Sequence, residues 1–423
     1  MLNKLQNDPV TPGSSRGKWS PSVIFILMVI MMASVFFSRV LLSVSMFAFI
    51  VFSVFDNDLK KRITIFFNTP LLWGMSLLFF LPLISGLWSH NHDEWFGMIR
   101  IKLPLLLLPF AFAGSFGFLK KHWRRLALFF IGFVIAATFW SMANYFSDLN
   151  VVNDNYLRSQ LLITPLENDH VRFSWMICIA ILLAAGFWWH QKKERKKNAW
   201  MLLPAILWLV IFLHILAART GLFSFYLILL ITAIWLLIKK RNTRYVIGIL
   251  FLLITLPVIA YFALPTFKNR VKYFLYDLPY FSETHYKPGM NDAVRIISIK
   301  AGWNIMNSHP VGGIGFGDIL QETKKWYTVD YPQMSETDKI YPCNEGLIYG
   351  TGAGWPGFII FFIVLMIPFF IRMRENKLPW VLLNAVIAFS FLFDIGLETQ
   401  FGVFLYAFIA LWWWKWLREP NWP

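Results

Sequence analysis

Long apolar runs, separated by short polar segments, dominate the amino-acid sequence. A transmembrane helix needs about 20 mainly apolar residues, and about twelve runs approach this length. The predicted spans are 21–38, 40–55, 70–88, 101–118, 126–145, 171–189, 199–217, 221–238, 245–264, 353–371, 378–396 and 401–417. Only Ser38 and Arg39 separate the first two, and one span fewer is the alternative there. The pattern predicts an all-α, polytopic membrane helix bundle of about twelve transmembrane helices.

One polar interruption, residues 265–352, is much longer than a connection between two helices requires. Within it, Asn291 or Asp292 can cap an amphipathic helix that ends before Pro310. Its apolar residues recur at spacings of three and four, at Ile296, Ile299, Trp303 and Met306. We expect this stripe to face the bundle or the lipid, and the polar span 318–342 to act as a mobile lid.

Composition and charge agree with a membrane bundle. Of the 423 residues, 57% are hydrophobic and 15% charged, whereas about a quarter are charged in soluble proteins. The net charge is +16, yet most Lys and Arg residues lie in short segments on one side of the predicted bundle, with few Asp or Glu. That side is predicted to be cytoplasmic. The basic excess therefore orients the chain and attracts anionic membrane lipid, and it does not indicate a nucleic-acid partner.

The predicted organisation has five parts. They are a cytoplasmic tail at 1–20, nine spans within 21–264, a large outer loop containing helices at 265–352, three spans within 353–417, and a cytoplasmic tail at 418–423. Of the two cysteines, Cys178 falls inside an apolar span, so a disulfide with Cys343 is not expected.

The candidate chemistry lies at the outer ends of the spans. Arg219 occupies the short turn Arg219-Thr220-Gly221, where its planar guanidinium suits a phosphate; the alternative is an interfacial anchor. Arg295 lies on the predicted loop helix, where a solvated charge is the alternative. Further polar residues stand at the outer ends of other predicted spans. They could cap helices, form salt bridges or face the same cavity, and they are Arg100, Lys102, Asp169, His170, Arg172, Asp394 and Glu398.

Three short motifs carry less weight. The string His90-Asn91-His92-Asp93 lacks partners for a full ligand set, so no metal site is predicted. Asp56-Asn57-Asp58 has the spacing of a nucleotide-sugar enzyme's acidic pair, but it is better interpreted as a cytoplasmic turn. The glycines of 312–317 favour either an anion-binding turn or a tight turn after a helix.

Taken together, these pieces resemble the O-antigen ligase and polymerase superfamily of bacterial envelope enzymes. Three features carry the resemblance, in the same order: the turn Arg219-Thr220-Gly221, the loop helix with Arg295 running into the glycines of 313–317, and Asn344 followed by nine residues and then Gly354-Trp355-Pro356-Gly357. The motifs cover roughly residues 200–370. In the third, Cys343 stands where the family has histidine.

The resemblance implies a glycosyltransferase of the bacterial inner membrane with a periplasmic active site and no cofactor. Its donor would be a glycan on undecaprenyl diphosphate, and its acceptor a lipid A–core sugar or another glycan. Catalytic residues would be Arg219, Arg295, Cys343, Asn344 and Glu398. Substrate-binding residues would be Arg100, Lys102, His170, Arg172, His309, Gly315, Gly317 and Glu345. A thiol replaces the family's histidine, and it could deprotonate but would be a nucleophile as readily as a base. Either another group therefore serves as the base (His170, His285, His309, Glu345 or Glu398), or the enzyme is a relative with different chemistry, such as a polymerase. An inert Cys343 is a further alternative.

Three alternatives stay open at this stage. A polymerase of the same superfamily would use the same donor and extend a lipid-linked glycan. A transporter or flippase of lipid-linked sugars is the alternative of another class, although transporter sites lie near the membrane midplane and the polar candidates here gather on one side. A non-catalytic membrane scaffold is the third.

Overall fold

A computed structural model describes residues 21–54, 59–194, 200–240, 243–281, 286–287, 291–373 and 376–418. Within these ranges the chain forms helices and turns and no β-strand. The predicted tail 1–20, the acidic string at 56–58, His285 and most of the predicted tail 418–423 lie outside the described residues.

The described α-helices are numbered here in chain order. They are α1 (Pro21–Phe37), α2 (Arg39–Val54), α3 (Leu59–Asn68), α4 (Pro70–Ser85), α5 (His92–Lys102), α6 (Pro104–Ala113), α7 (Lys120–Ser147), α8 (Leu149–Asn155), α9 (His170–Lys193), α10 (Leu202–Leu216), α11 (Arg219–Ile238), α12 (Thr243–Ala263), α13 (Pro265–Asp277), α14 (Asn291–Ser308), α15 (Ile319–Asp330), α16 (Glu345–Phe370), α17 (Lys377–Phe393) and α18 (Gln400–Leu417). A left-handed turn at Pro165–Asn168 and short 3-10 turns connect some of them.

Every predicted apolar span overlaps a helix, so the all-α class is confirmed. Among the described residues, six helical segments are long and apolar enough to cross a membrane: His92–Ala113, Lys120–Ser147, His170–Lys193, Arg219–Ile238, Thr243–Ala263 and Glu345–Phe370. Four others, α1, α4, α10 and α17, are apolar but shorter. The count of twelve spans and the side on which the large loop lies stay predictions.

The fourth predicted span differs from the observed helices. It was expected to run without interruption over 101–118. Instead, the helix is interrupted at Leu103, between α5 and α6, although Leu103 keeps helical backbone angles, and α6 ends at Ala113. Pro104 is the reason for the break, because proline has no N–H to continue the ladder of α5 and is favoured at the first position of a new helix.

Helix α18 forms the centre of the bundle. Almost all of its residues are buried, as expected for a helix that is apolar on every side. One column of rings, four residues apart, runs along it: Phe404, Phe408, Trp412 and Trp416, with centroid separations of 5.0, 6.3 and 5.9 Å. Helices α6 and α17 pack against this core.

The predicted loop helix exists as α14, but the face that packs against the protein is not the predicted apolar stripe, whose contact with lipid stays a prediction. Trp303 is 46% exposed, and Ile296 and Ile299 are only partly buried, whereas Met306 is buried as expected. The buried face is instead Val294, Ile297, Ser298, Ala301, Gly302 and Ile305. The small residues explain the difference, because a Cβ on Gly302 would lie 2.7 Å from Pro342. Close approach to the segment before α16, and not side-chain size, decides the orientation.

The polar span 318–342 has a small hydrophobic core of its own. It contains α15 and a 3-10 turn at Glu336–Asp338. Tyr327, Tyr331 and Met334 from this span pack with Tyr286 and with the buried face of α14. The span is therefore attached to α14 through apolar contacts, and whether it moves as a lid stays a prediction.

Helix α16 contains a break that receives the glycine-rich turn. Ala353 and Gly354 have non-helical backbone angles, and φ of Gly354 is +69°. At the break, the amide of Trp355 donates to the carbonyl of Pro310 at 2.9 Å. A Cβ on Gly354 would lie 2.5 Å from that carbonyl oxygen, so only glycine permits this approach without strain. The second and third motifs of the sequence are thus in direct contact.

Candidate active site

The candidate site begins where Arg219 meets α14. Arg219 is the first residue of α11, and its Nη1 donates to Oδ2 of Asp292 in the first turn of α14. The Asp292 side chain is 8% exposed and that of Arg219 is 26% exposed. The Cζ of Arg219 also lies 5.9 Å from the centroid of the Phe274 ring on α13. The arginine predicted from the sequence is therefore partly accessible and held by three helices.

Arg295 lies near this pair. It follows Asp292 by three residues, so the two side chains project from neighbouring positions on one side of α14. Arg295 is exposed, and its Nη1 donates to the carbonyl of Phe393 at 3.3 Å. Arg219 therefore contacts the first turn of α14 and Arg295 stands in the next turn of that helix, although 76 positions of sequence numbering separate the two arginines.

The turn after α17 collects side chains from several helices. Asn344 donates through Nδ2 to the carbonyl of Leu392 at 2.9 Å, and Arg172 donates through Nη2 to the carbonyl of Ile395 at 2.8 Å. Arg172 also forms an ion pair with buried Asp394 at 2.8 Å. Asn344 has a second role as the cap of α16, since its Oδ1 accepts from the amide of Leu347 at 2.9 Å.

A buried triad of charged side chains, Lys102, Glu345 and Glu398, contacts the same turn. The Lys102 ammonium lies 2.5 Å from Oε1 of Glu398 and 3.9 Å from Oε1 of Glu345. Lys102 and Glu345 have fully buried side chains, and Glu398 is 7% exposed. The backbone of Leu397 closes the network, accepting from Lys102 and donating to Glu345, both at 3.0 Å. Lys102 and Glu345 thus stabilise the turn from positions that a substrate does not reach in this conformation.

Other predicted site residues are more dispersed. His170 is half-buried, with Nδ1 3.0 Å from Oγ1 of Thr164. His309 is exposed beside the glycine-rich turn, and Arg100 is exposed next to the Phe96 ring on α5. Among the described contacts, His309 and Arg100 do not touch the two arginines, whereas His170 is close enough to Arg270 on α13 for their charges to interact.

The glycine-rich turn is better explained as a packed turn than as an anion cradle. The amide of Gly315 donates to the carbonyl of Gly352 at 3.1 Å, and the amide of Gly317 donates to Oγ of Ser89 at 3.3 Å. Gly315 has φ of +89°, and a Cβ there would lie 2.3 Å from the Ser89 hydroxyl. Because internal partners already occupy these amides, the turn supports the tight-turn alternative.

The string His90-Asn91-His92-Asp93 caps helix α5 and binds the carboxylate of Asp318. Among the described residues, no group of three or more His, Cys, Asp or Glu side chains is arranged to hold a metal ion. The amides of His90 and Asn91 donate to the Asp318 carboxylate at 2.7 and 2.9 Å. Asn91 also caps α5, accepting from the amide of Glu94 at 3.2 Å. These contacts give the string a structural explanation.

Cys343 is buried beside α14. It is 8% exposed, and its amide donates to Oγ of Ser298 at 3.0 Å. Burial raises the pKa of the thiol, although Arg295 and Ser298 oppose this effect. A raised pKa leaves less thiolate at neutral pH than an ordinary cysteine has, which argues against the thiol as a base or nucleophile.

We therefore expect Cys343→Ser to retain glycan transfer within about threefold of wild type, because the thiol takes no part in the reaction. A threefold change in rate corresponds to less than about 1.4 kcal/mol. The thiol should also react slowly with iodoacetamide at pH 8, where an ordinary cysteine is partly ionised. Mass spectrometry of the alkylated protein measures this rate. Loss of transfer in Cys343→Ser at wild-type membrane levels would return the thiol to the chemistry.

Two neighbours of Arg219 were missed from the sequence. Asp292 was identified only as a helix cap, and Arg270 on α13 was not identified at all. The residue types gave no signal, because Arg270 stands among exposed charged residues of a polar loop. Only the packing of α13 against α14 brings them to Arg219.

The long apolar helices are those of a helical membrane protein. The polar cluster lies at the ends of three helices, α11, α14 and α17. Residues 204–362 match the family model described as O-antigen ligase (Wzy_C). The match confirms the resemblance to the O-antigen ligase superfamily, and it spans Arg219, α14, the glycine-rich turn and the break in α16. It supports an O-antigen ligase-like or polymerase-like membrane enzyme. No curated protein matches the chain.

Proposed function

We propose that the protein is a glycosyltransferase of the bacterial inner membrane that acts on the periplasmic face. It moves a glycan from an undecaprenyl diphosphate carrier to a lipid A–core sugar, as an O-antigen ligase does. A polymerase, in which the acceptor is another lipid-linked glycan, is the alternative within the superfamily. The family match to residues 204–362 supports both.

The observation that supports the proposal is that Arg219 contacts Asp292 in the first turn of α14, three residues before Arg295 on the same helix. A diphosphate leaving group develops negative charge as its bond to the sugar breaks, and arginines bind phosphate oxygens through paired hydrogen bonds. Both residues are at least partly exposed, unlike the buried Lys102 and Glu345. They are the cations of the cluster that a substrate can reach.

The proposed reaction is a single displacement. The acceptor hydroxyl oxygen attacks the anomeric carbon of the donor glycan, and the bond from that carbon to the diphosphate oxygen breaks with its electron pair. Arg219 and Arg295 stabilise the released polyprenyl diphosphate. The hydroxyl proton passes to a carboxylate or imidazole of the site. Glu398 and His170 are the candidates, because Glu345 is fully buried and the bond of His170 to Thr164 uses only one of its two ring nitrogens. His309 lies beside the glycine-rich turn, away from the arginines.

The polyprenyl chain needs an apolar surface on the protein. A groove of about 590 Å³ runs along α16. Its lining includes Trp355, Phe358, Phe362, Met366 and Phe370. Trp355 is at the end nearest the glycine-rich turn, through its bond to Pro310, and this end lies about 20 Å along α14 from the arginines. We assign this groove to a part of the lipid chain that is distant from the diphosphate.

Transfer of the glycan in cells tests the proposal. In a strain lacking the endogenous protein, wild type should restore attachment of the glycan, and Arg295→Ala at matched membrane levels should not. Lys300→Ala is the matched control, because Lys300 is an exposed cation on the same helix. Wild-type attachment with both Arg295→Ala and Arg219→Ala would show that the arginines are not the clamp.

The lipopolysaccharide ladder of the deletion strain separates the classes. Loss of all long forms with an intact core indicates a ligase, and a band with a single repeat indicates a polymerase. Accumulation of donor lipid on the inner leaflet, with no linkage defect in isolated membranes, indicates a flippase and would contradict the enzyme.

A further inference from the structure

A second arginine stands beside Arg219 without a role in the proposed chemistry. Arg270 lies on α13, and its Nη1 donates to Oγ of Ser159 at 2.7 Å. Its Cζ lies 5.4 Å from the centroid of the Tyr273 ring. Its Nε is buried and has no hydrogen-bond partner. The guanidinium is therefore held on one side and has a donor still to be satisfied.

The face of α13 that carries Arg270 borders the arginine site. Phe274 follows Arg270 by four residues, so their side chains lie on one face of the helix. The Phe274 ring contacts Arg219, and the hydroxyl of Tyr273 accepts from the amide of Asn291 at the start of α14. Arg270 thus lies next to the turn at which Arg219 and Asp292 pair.

Two arginines and two carboxylates meet around this turn. Burial and the nearby Arg219 lower the pKa of Arg270 to about 10, and Asp292 opposes the shift. Arg270 is therefore still charged at neutral pH, beside a like charge that is already paired with Asp292. The second carboxylate, on Asp277, accepts from the amide of Asp292 at 3.0 Å. Among the described contacts, Arg219 has an ion pair within 4.0 Å and Arg270 has none.

We propose that Arg270 binds the diphosphate of the lipid-linked donor together with Arg219, and that Asp292 pairs with Arg219 when no donor is bound. This inference rests on the proposed function. The ligand is a diphosphate ester, whose two negative charges match the two guanidinium groups. Its oxygens accept from Arg270 and replace the Asp292 carboxylate at Arg219.

The experiment measures transfer by the purified full-length chain while the concentration of lipid diphosphate donor is varied. Arg270→Gln should raise KM for the donor about tenfold, the effect of losing a hydrogen bond between charged groups. Arg270→Lys, which keeps the charge and loses the planar fork of donors, should raise KM less than Arg270→Gln does. Inorganic diphosphate, added as a competitor, should inhibit Arg270→Gln only at a correspondingly higher concentration.

Lys268→Gln is the matched control, because Lys268 is an exposed cation on the same helix. A wild-type KM for Arg270→Gln overturns the assignment, as does an equal rise in Lys268→Gln. Loss of both Arg270 variants from the membrane overturns it too, since Arg270 would then be needed for folding. If Arg219→Ala and Arg295→Ala remain inactive in these cases, the proposed function stands and only the role of Arg270 is wrong.

Discussion

Replacing Arg219 by alanine is expected to lower kcat for glycan transfer by about 10²–10³-fold, the usual effect of removing one preorganised donor at a developing anion. The reason is geometric. Arg219 begins α11 directly after a turn and is held against Phe274 and Asp292, so its guanidinium is positioned before the substrate arrives. Single-turnover measurements with the purified protein give the rate constant of the transfer step itself, without a contribution from product release.

The ion pair with Asp292 supplies the control for this expectation. If Arg219 served only to hold α11 against α14, Asp292→Asn would damage the protein as much as Arg219→Ala, because each removes one partner of the same pair. If Arg219 stabilises the leaving group, Asp292→Asn should retain transfer within about tenfold, as only a structural partner is lost. Equal losses in the two variants would favour the structural role.

Lys102→Met is expected to destabilise the folded protein by about 3–5 kcal/mol, the usual cost of leaving a buried charge without its partner. Two carboxylates depend on this ammonium, Glu345 with a fully buried side chain and Glu398 at 7% exposure. The carbonyl of Leu397 loses its donor as well. The melting temperature in detergent and the level of the variant in membranes measure the effect.

Neutralising the acids should reverse most of that loss. The triple variant Lys102→Met, Glu345→Gln and Glu398→Gln buries no net charge, and replacement of an entire buried pair is often close to neutral. Arg100→Ala, two residues earlier on the same helix and exposed, should melt like wild type. A melting temperature of Lys102→Met equal to that of Arg100→Ala would show that the triad does not stabilise the fold.

The helices were predictable because their signal is local. An apolar run of membrane length forms a helix whatever surrounds it, since lipid offers the backbone no other partner. The turn at Arg219 and the helix carrying Arg295 were likewise identified from neighbouring residues. The break at Leu103 was also encoded locally, by Pro104, and was overlooked because the apolar run continues through it.

What the sequence did not predict depends on contacts between distant segments. The pairing of Lys102 with Glu398 needs α5 and the turn after α17 to meet, and no periodicity along either segment indicates this. The buried face of α14 was missed because Gly302, and not its large side chains, makes the closest approach. The amides of Gly315 and Gly317 could be judged only once their internal acceptors were seen.

The turn after α17 has an unusual relation between sequence and structure. Its contacts with Asn344, Arg295, Arg172 and Lys102 go to backbone carbonyls, which every amino acid possesses. These hydrogen bonds therefore place little demand on which residues occupy 392, 393 and 395, whereas Leu397 is fully buried and its amide donates to Glu345. Substitutions accumulating at 392, 393 and 395 over evolution would leave these hydrogen bonds in place. Variable columns in an alignment of relatives would then coincide with one of the most tightly fixed backbone segments of the protein.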